Sequence, residues 1–270
     1  MEKLNIGILS KRKTMLTGKL KDCLENKGFN VLIYTLKNLV INEMLLDEDF
    51  FILKSKSLFF LYAGFFLEAN NKIVIPNPQI SFMQKNRIHS HFLMKKIGLL
   101  TPDIYLGTVD TFKNNLDVND FPLILKPIMG SGSKGIRLIK SFKDLKSEDR
   151  VIIYLEKFIK GIHYNIYFID NEICTLIKPP LSHEHVNMKK IETPDDIRDL
   201  INKWRKFFNG DLLFGHLDIV REDTSNRLFV VDPGSFPEFS NWKCSRSYVE
   251  NICDLIIDKY RKLKKNFNKN

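Results

Sequence analysis

The segment FPLILKPIMGSGSKGIRLI, residues 121–139, is the most informative part of this sequence. An apolar run ends at Lys126, a loop of glycine and serine residues follows, and a second apolar run resumes at Ile136. This order predicts two strands joined by a small-residue loop. Backbone N–H groups in such a loop can approach phosphate oxygens closely, and Lys126 adds a fixed positive charge. The residues expected to hold phosphate are Lys126, Gly130, Ser131, Gly132, Ser133 and Lys134.

This loop does not have the sequence of a Walker loop. No Gly-Lys-Ser or Gly-Lys-Thr opens a helix after it, as that motif requires. A flexible hairpin turn would explain the same glycines and serines. The stretch alone therefore leaves two interpretations open, a phosphate-binding loop and an ordinary turn.

Two acids lie near the ends of two apolar runs farther along the chain. LFGHLDIV, residues 213–220, carries Asp218, and LFVVDPGSFPEF, residues 228–239, carries Asp232. Two carboxylates that point the same way repel unless a cation lies between them, and Mg²⁺ prefers oxygen ligands of this kind. The alternative is a hairpin whose acids form turns, because Asp-Pro-Gly is ordinary turn chemistry.

Candidate contacts for a nucleotide lie in VIIYLEKFIKG, residues 151–161. Glu156 follows a short apolar run, so Tyr154 and Leu155 could give backbone hydrogen bonds to a base edge and Glu156 a carboxylate to a ribose. The alternative is an edge strand with an outward-facing acid. Arg87, in a helix predicted over residues 81–98, is equally open, because a single arginine on a helix is usually solvated.

The bulk composition indicates a folded globular protein. Hydrophobic residues make up 44% of the 270 residues, and no apolar run reaches the ~18 residues that a bilayer span needs. Four cysteines without metal spacing or a pairing pattern favour reduced thiols in a cytoplasmic protein. The net charge of +10 could attract a polyanion or reflect general lysine richness. Without zinc-finger spacing or a basic recognition helix, no nucleic acid partner is expected.

The order of apolar patterns predicts a mixed α/β protein. LNIGILS and NVLIYTL, residues 4–10 and 30–36, read as strands on either side of a helical pattern, which is the usual opening of a parallel α/β domain. From residue 120 the pattern changes to pairs of strands. We therefore expect boundaries near residues 80 and 120.

Taken in order, these motifs resemble the ATP-grasp superfamily over nearly the whole chain. The matching elements are Arg87, Lys126, GSGSKG, YLEKFIKG, GIHYNIYFIDNEI, Asp218 and Asp232. The resemblance implies an ATP-grasp fold with an N-terminal parallel α/β domain over residues 1–80 and an ATP-grasp domain over 81–270. Within the latter, residues 120–160 would cradle the nucleotide and 161–270 would bind metal. It also implies ATP and Mg²⁺ as cofactors, with Mg²⁺ held by Asp218 and Asp232.

Within that superfamily, several stretches look like the kinases that phosphorylate inositol tris- and tetrakisphosphates. They are GILSKRK, LIKPPLS, LFGHLD and DPGSFPEF. The resemblance implies phosphoryl transfer with Lys126 and Lys178 as catalytic residues, and Lys11, Lys13 and Lys178 facing a phosphorylated acceptor. Gly234 stands where that family has a metal-binding Asn, so Glu238 is the candidate for the missing ligand.

Two other functions remain open at this point. One is a carboxylate–amine ligase similar to those that add glutamate to peptides or cofactors, which would use the same ATP site and form an acyl phosphate. The other is a nucleotide-binding module without turnover, which the loss of the metal-binding Asn at Gly234 motivates. All three functions predict ATP in the same place. The two enzymes act on a small phosphorylated or carboxylate acceptor and need no membrane.

Overall fold

The architecture consists of three sheets that follow one another along the chain. The structure is a computed structural model, and it describes residues 3–130, 135–145, 151–179 and 188–267. Within this part, a four-stranded sheet lies at the N-terminal end, a second in the middle and a five-stranded sheet at the C-terminal end. The α/β organisation that the sequence predicts is confirmed.

The N-terminal sheet is parallel and buried. Its elements are β1 (Asn5–Leu9), α1 (Met15–Asn26), β2 (Asn30–Tyr34), β3 (Phe50–Leu53), α2 (Leu58–Ala69) and β4 (Ile73–Ile75). The strands lie in the order β2-β1-β3-β4. Continuous apolar runs such as FFIL in β3 form such strands, because both faces of a parallel sheet are covered. The strand order reverses between β1 and β3, a position where α/β sheets commonly bind ligands.

The middle sheet is antiparallel and starts upstream of the predicted boundary near residue 120. Its elements, with the two helices that lead into it, are α3 (Pro78–Lys85), α4 (Arg87–Lys96), β5 (Ile104–Gly107), α5 (Val109–Asn115), β6 (Leu123–Lys126), β7 (Arg137–Ile139) and β8 (Ile153–Lys157). The strands lie in the order β5-β8-β6-β7. Because β5 pairs with β8, this sheet includes a strand before residue 120. The domain limits themselves stay a prediction.

The C-terminal sheet is also antiparallel. Its elements are β9 (Gly161–Ile169), β10 (Glu172–Lys178), β11 (Lys189–Ile191), α6 (Asp195–Phe207), β12 (Phe214–Glu222), β13 (Leu228–Gly234) and α7 (Tyr248–Phe267). The strands lie in the order β11-β10-β9-β12-β13. The two acid-bearing strands, β12 and β13, are therefore neighbours at one side of the sheet.

The core lies on both faces of the C-terminal sheet. On one face, α6 buries Trp204 against alternate residues of β9 and β12. On the other, α7 packs against α1 and the N-terminal sheet, and the rings of Phe50 and Tyr260 stack with their centroids 4.1 Å apart. This second face is the one that carries Asp218, because its strand neighbours Leu217 and Ile219 belong to the α6 side. Within the described residues, no helix has the length and apolar character that a bilayer crossing requires.

Candidate functional site

A cavity of about 310 Å³ lies between the middle and C-terminal sheets. Its charged or titratable lining residues are Lys126, Glu156, Lys157, His163, Lys178, Asp218 and Asp232. Its apolar lining residues are Pro102, Ile124, Ile136, Leu138, Ile159, Val220 and Val231. Apolar walls with a few charged groups are typical of small-molecule sites. The structure thus brings together five residues that the sequence predicts for a site, namely Lys126, Glu156, Lys178, Asp218 and Asp232.

Lys126 and Glu156 form a buried ion pair in this cavity. Their side chains are each 6% exposed, and Lys126 Nζ donates to Glu156 Oε2 and, at 3.0 Å, to the backbone oxygen of Val231. Tyr154 Oη donates to the other carboxylate oxygen of Glu156 at 2.7 Å. Burial raises the pKa of Tyr154, and the Glu156 carboxylate raises it further. Glu156 therefore holds Lys126 in place, and its predicted contact with a ribose stays a prediction.

The backbone of Tyr154 and Leu155 lies inside a sheet. Their strand, β8, pairs with β5 on one side and with β6 on the other. In such a central strand the backbone N–H and C=O groups bond to both neighbours, so these two residues leave no free edge for a nucleotide base. This corrects the predicted backbone contact at Tyr154 and Leu155. The chain leaves the sheet after Lys157, and Ile159 then lines the cavity.

Asp218 and Asp232 lie directly across from each other on β12 and β13. Both residues lie inside their strands, whereas the sequence predicts them near the strand ends. Side chains of residues that pair in this way lie on the same face of the sheet, at neighbouring positions. The two carboxylates that the sequence singled out are therefore a facing pair on the cavity wall.

Protein cations already compensate both carboxylates. Lys178 Nζ lies 2.7 Å from Asp218 Oδ2, and Asn165 Nδ2 donates to Asp218 Oδ1 at 2.5 Å. Burial raises the pKa of Asp218, but the Lys178 ammonium, the His216 ring and these hydrogen bonds outweigh burial and hold the pKa below its usual value. Asp232 lies 3.4 Å from Arg87 Nη2. The repulsion between the two acids is thus relieved without any further ion.

The donor set around the acids can bind Mg²⁺ only together with other ligands. Gly234 has no side chain to offer, and Glu238 Oε1 is 2.8 Å from Lys54 Nζ in an ion pair outside the cavity lining. Among the residues that the structure describes, no group of three His, Cys, Asp or Glu side chains could hold a metal. Two carboxylates fit a magnesium ion whose other ligands are phosphate and water oxygens. The role of Glu238 as a metal ligand stays a prediction.

Arg87 connects the acids to the base of the predicted phosphate loop. It is 4% exposed at the start of α4, and its Nη1 donates to the backbone oxygen of Pro127. A Cβ atom at Gly130 would lie 2.7 Å from Arg87 Nη1, so glycine permits this close approach. The remaining predicted loop residues, Ser131, Gly132, Ser133 and Lys134, lie outside the described residues.

Lys11 and Lys13 lie apart from the cavity. Both are exposed on the loop that follows β1, and neither is among the residues that line the cavity within the described part of the chain. Lys178, the third lysine predicted to meet an acceptor, does line it. The predicted acceptor role of the first two lysines stays a prediction.

Three other lysines near the acids were not predicted. Lys54 and Lys56 follow β3, and both donate to the backbone oxygen of Phe236, at 3.2 and 2.9 Å. Lys85, the last residue of α3, donates to the backbone oxygen of Gly130. A signal for the first two exists in the sequence, because FILKSKS places lysines directly after an apolar strand of a parallel sheet.

Two histidines also belong to this region. His163 is 8% exposed, lines the cavity, and its Nε2 has no hydrogen-bond partner among the described residues. His216 lies two residues before Asp218 on the same face of β12. Burial lowers the pKa of both imidazoles, and the Lys178 ammonium lowers them further.

Comparisons with known sequences give partial matches. No family model matches the sequence. Carbamoyl-phosphate synthase from Methanobrevibacter smithii is 22% identical over 207 residues, which cover 70% of this chain and 56% of that protein. D-alanine–D-alanine ligase from Wolbachia pipientis subsp. Culex pipiens is 31% identical over 99 residues, which cover 34% of this chain and 31% of that protein. The chain thus spans about half or less of the length of the curated relatives it matches.

Comparisons with solved structures extend over almost the whole chain. An ATP-grasp RimK domain protein from Sphaerobacter thermophilus has a TM-score of 0.75 at 11% identity, covering 93% of this chain and 98% of that one. The ATP-grasp ligase PsnB, complexed with a minimal precursor, Mg and ADP, has a TM-score of 0.66 at 14% identity, covering 95% and 98%. D-alanine–D-alanine ligase from Bacillus anthracis, complexed with ATP, has a TM-score of 0.68 at 16% identity, covering 97% and 99%.

These similarities lend no support to the predicted resemblance to inositol polyphosphate kinases. The structural similarities extend over the part of the chain that forms the three sheets. Each of these ATP-grasp and ligase structures matches at least 93% of this chain, so this chain has the ATP-grasp fold.

Proposed function

We propose that this chain is an ATP-dependent ligase, which activates a carboxylate with the γ-phosphoryl group of ATP and joins it to an amine. The observation that carries the proposal is the facing pair Asp218 and Asp232, with Lys126, Lys178 and Arg87 beside it. Such an arrangement of fixed cations and carboxylates suits a triphosphate and its metal. The names of the similar ligases support the choice of reaction.

The cavity offers a separate place for each part of the nucleotide. Ile124, Leu138 and Ile159 give apolar walls for the base, and the segment after β8 offers backbone that the sheet does not use. Lys126 and Arg87 would hold phosphate oxygens, together with the loop over residues 130–134. Asp218 and Asp232 would hold Mg²⁺, and the charge of that ion would help to neutralise the transferred group.

The proposed reaction has two steps. An oxygen of the acceptor carboxylate bonds to the γ-phosphorus, while the bond from that phosphorus to the bridging oxygen breaks and ADP leaves with the electron pair. The amine nitrogen then attacks the acyl carbon, the carbon–oxygen bond breaks, phosphate leaves with that electron pair, and the amine gives up a proton. Lys178 would hold the transferred phosphoryl group, and the position of its ammonium on the cavity wall beside Asp218 supports this role.

Two alternatives share the nucleotide site. A kinase for a phosphorylated acceptor, such as an inositol phosphate, would use the same cations, and the surplus of lysines near the acids suits such a substrate. A module that binds nucleotide without turnover would account for Gly234 in place of a metal-binding side chain.

Hydroxylamine trapping separates these functions. The chain would be incubated with ATP, Mg²⁺, hydroxylamine and single amino acids or short peptides, and ADP and acyl hydroxamates would be measured. A ligase forms both in equal amounts, because hydroxylamine captures the acyl phosphate. A kinase forms ADP and a phosphorylated product from inositol phosphates and no hydroxamate. Calorimetric binding of ADP without ATP consumption in either set would indicate the module without turnover.

A further inference from the structure

The lysines that the sequence did not predict lie at the ligand-binding edge of the N-terminal sheet. Lys54 and Lys56 follow β3 at its carboxyl end, and the backbone N–H of Lys54 donates to the oxygen of Leu9 at the end of β1 at 3.0 Å. The strand order reverses between these two strands. Parallel α/β sheets bind ligands in the crevice at such a position.

The same lysines contact the loop that follows the metal-binding strand. Lys54 and Lys56 donate to the backbone oxygen of Phe236, which lies four residues after Asp232. Lys85 reaches the backbone oxygen of Gly130 at the base of the predicted phosphate loop. These three side chains, called the lysine group below, therefore lie beside the loop after Asp232 and the base of the predicted phosphate loop, and they are not among the residues that line the cavity.

The lysine group has more positive charge than its surroundings compensate. Glu238 pairs with Lys54 at 2.8 Å, whereas the acceptor that the described residues give Lys56 is a neutral carbonyl. Burial lowers the pKa of Lys56 well below its usual value, and the ammonium groups of Lys54 and Lys85 lower it further, although the carboxylates of Glu238 and Asp232 partly oppose the shift. Like charges held together where water is partly excluded are costly unless an anion joins them, and groups with shifted pKa values are common where ligands bind.

We propose that the lysine group binds a second anionic group of the acceptor, a carboxylate or a phosphate, so that the substrate is an acid with two negatively charged groups. This inference rests on the proposed function. The carboxylate that reacts must lie at the γ-phosphate, near Lys178 and Asp218. The lysine group lies farther toward the N-terminal sheet, because Lys54 and Lys56 follow β3. A second anion on the same molecule would pair with these lysines.

The test uses small anions, because the acceptor is unidentified. Binding of succinate, with acetate as its monoanionic match, and of glycerol phosphate, with glycerol as its neutral match, is measured by calorimetry in the presence of MgADP. Wild-type chain should bind succinate or glycerol phosphate at least tenfold more tightly than the match. Lys56→Met should remove that preference, and Lys37→Met, at an exposed position of the N-terminal domain, should keep it.

The outcomes separate this inference from the proposed function. Preference for succinate alone assigns a carboxylate to the lysine group, and preference for glycerol phosphate alone assigns a phosphate. No preference in the wild type, or an equal preference in Lys56→Met, overturns the inference even if the chain binds ADP and consumes ATP. Absence of ADP binding in the wild type counts against the proposed function, while the anion preference is read independently. Lys56→Met loses a half-buried charge, so its melting temperature should not fall, and Lys56→Gln repeats the test with a polar side chain.

Discussion

Gly234 lies directly across from His216 on neighbouring strands, and the histidine ring fills the space that a side chain at position 234 would need. A Cβ atom built on Gly234 would lie 2.6 Å from His216 Nδ1 and closer still to Cε1. The two positions can therefore hold one large side chain between them. A histidine at position 216 and any side chain at position 234 therefore compete for the same space.

Substitution of Gly234 should destabilise the protein unless His216 is reduced as well. Gly234→Ala should cost ~1–3 kcal/mol of unfolding free energy, the usual range for overpacking a filled site. The double variant Gly234→Ala with His216→Ala should recover most of that loss. The free energy of unfolding would be measured by chemical denaturation. If the loss in the double variant equals the sum of the losses in the two single variants, the two residues do not share this space.

Lys126 should contribute both to nucleotide binding and to folding. Lys126→Met should weaken ATP binding by ~1.5–3 kcal/mol, the scale of a charge-assisted hydrogen bond. It should also lower the melting temperature, because Glu156 stays buried without its partner. Adding Glu156→Gln should restore the melting temperature without restoring ATP affinity. Lys140→Met, at an exposed position, is the matched control. Unchanged ATP affinity in the double variant would show that Lys126 does not bind the nucleotide.

The facing acids should be needed for metal-dependent turnover more than for folding. Asp232→Asn should reduce Mg²⁺-dependent ADP formation by on the order of 100-fold, or ~2.7 kcal/mol of the barrier. The site should bind Mg²⁺ weakly without nucleotide and more tightly with it, since phosphate oxygens must complete the shell. Asp223→Asn, at an exposed position between the same strands, should be inert. Normal turnover in Asp232→Asn with a lowered melting temperature would leave the acids as structural residues.

Lys85 should make stability depend on pH above neutrality. Burial lowers its pKa to about 8 from the usual 10.5, and Arg87 contributes in the same direction. Between these two values the unfolded chain binds more protons than the folded one, so stability rises with pH. The cost of the buried charge is present below pH 8 and disappears as the pH rises through that window. Lys85→Met should therefore be more stable than the wild type at pH 7, and the difference should shrink by pH 10. A constant difference in thermal melts would contradict the lowered pKa.

The sequence predicted the fold and the residues of the cavity wall better than their local pairing. Lys126, Asp218 and Asp232 could be found because each belongs to an apolar run, and the order of the runs identifies the fold. The sequence could not show that the backbone of Tyr154 is hydrogen-bonded on both sides. That pairing depends on β5, a short strand distant in sequence that pairs with β8. The contact between His216 and Gly234 likewise depends on the pairing of β12 with β13.

The sequence singled out other lysines of the N-terminal domain than those that lie near the acids. Lys11 and Lys13 were chosen for their position after the first strand, but they are exposed and lie outside the cavity lining of the described residues. Lys54 and Lys56 follow the third strand with the same local pattern. Which strand end faces the acids is decided by the packing of the N-terminal sheet on the C-terminal one, and single-sequence patterns do not contain that information.

Transfer of oxygen-18 from the acceptor to phosphate would show whether this cavity activates a carboxylate with ATP. An acceptor identified by hydroxamate trapping would be labelled with oxygen-18 in its carboxylate and incubated with the chain, ATP, Mg²⁺ and an amine. We expect one oxygen-18 atom in each inorganic phosphate released, because the carbon–oxygen bond of the acyl phosphate breaks in the second step. Unlabelled phosphate, or a stable phosphorylated acceptor with no phosphate released, would contradict it.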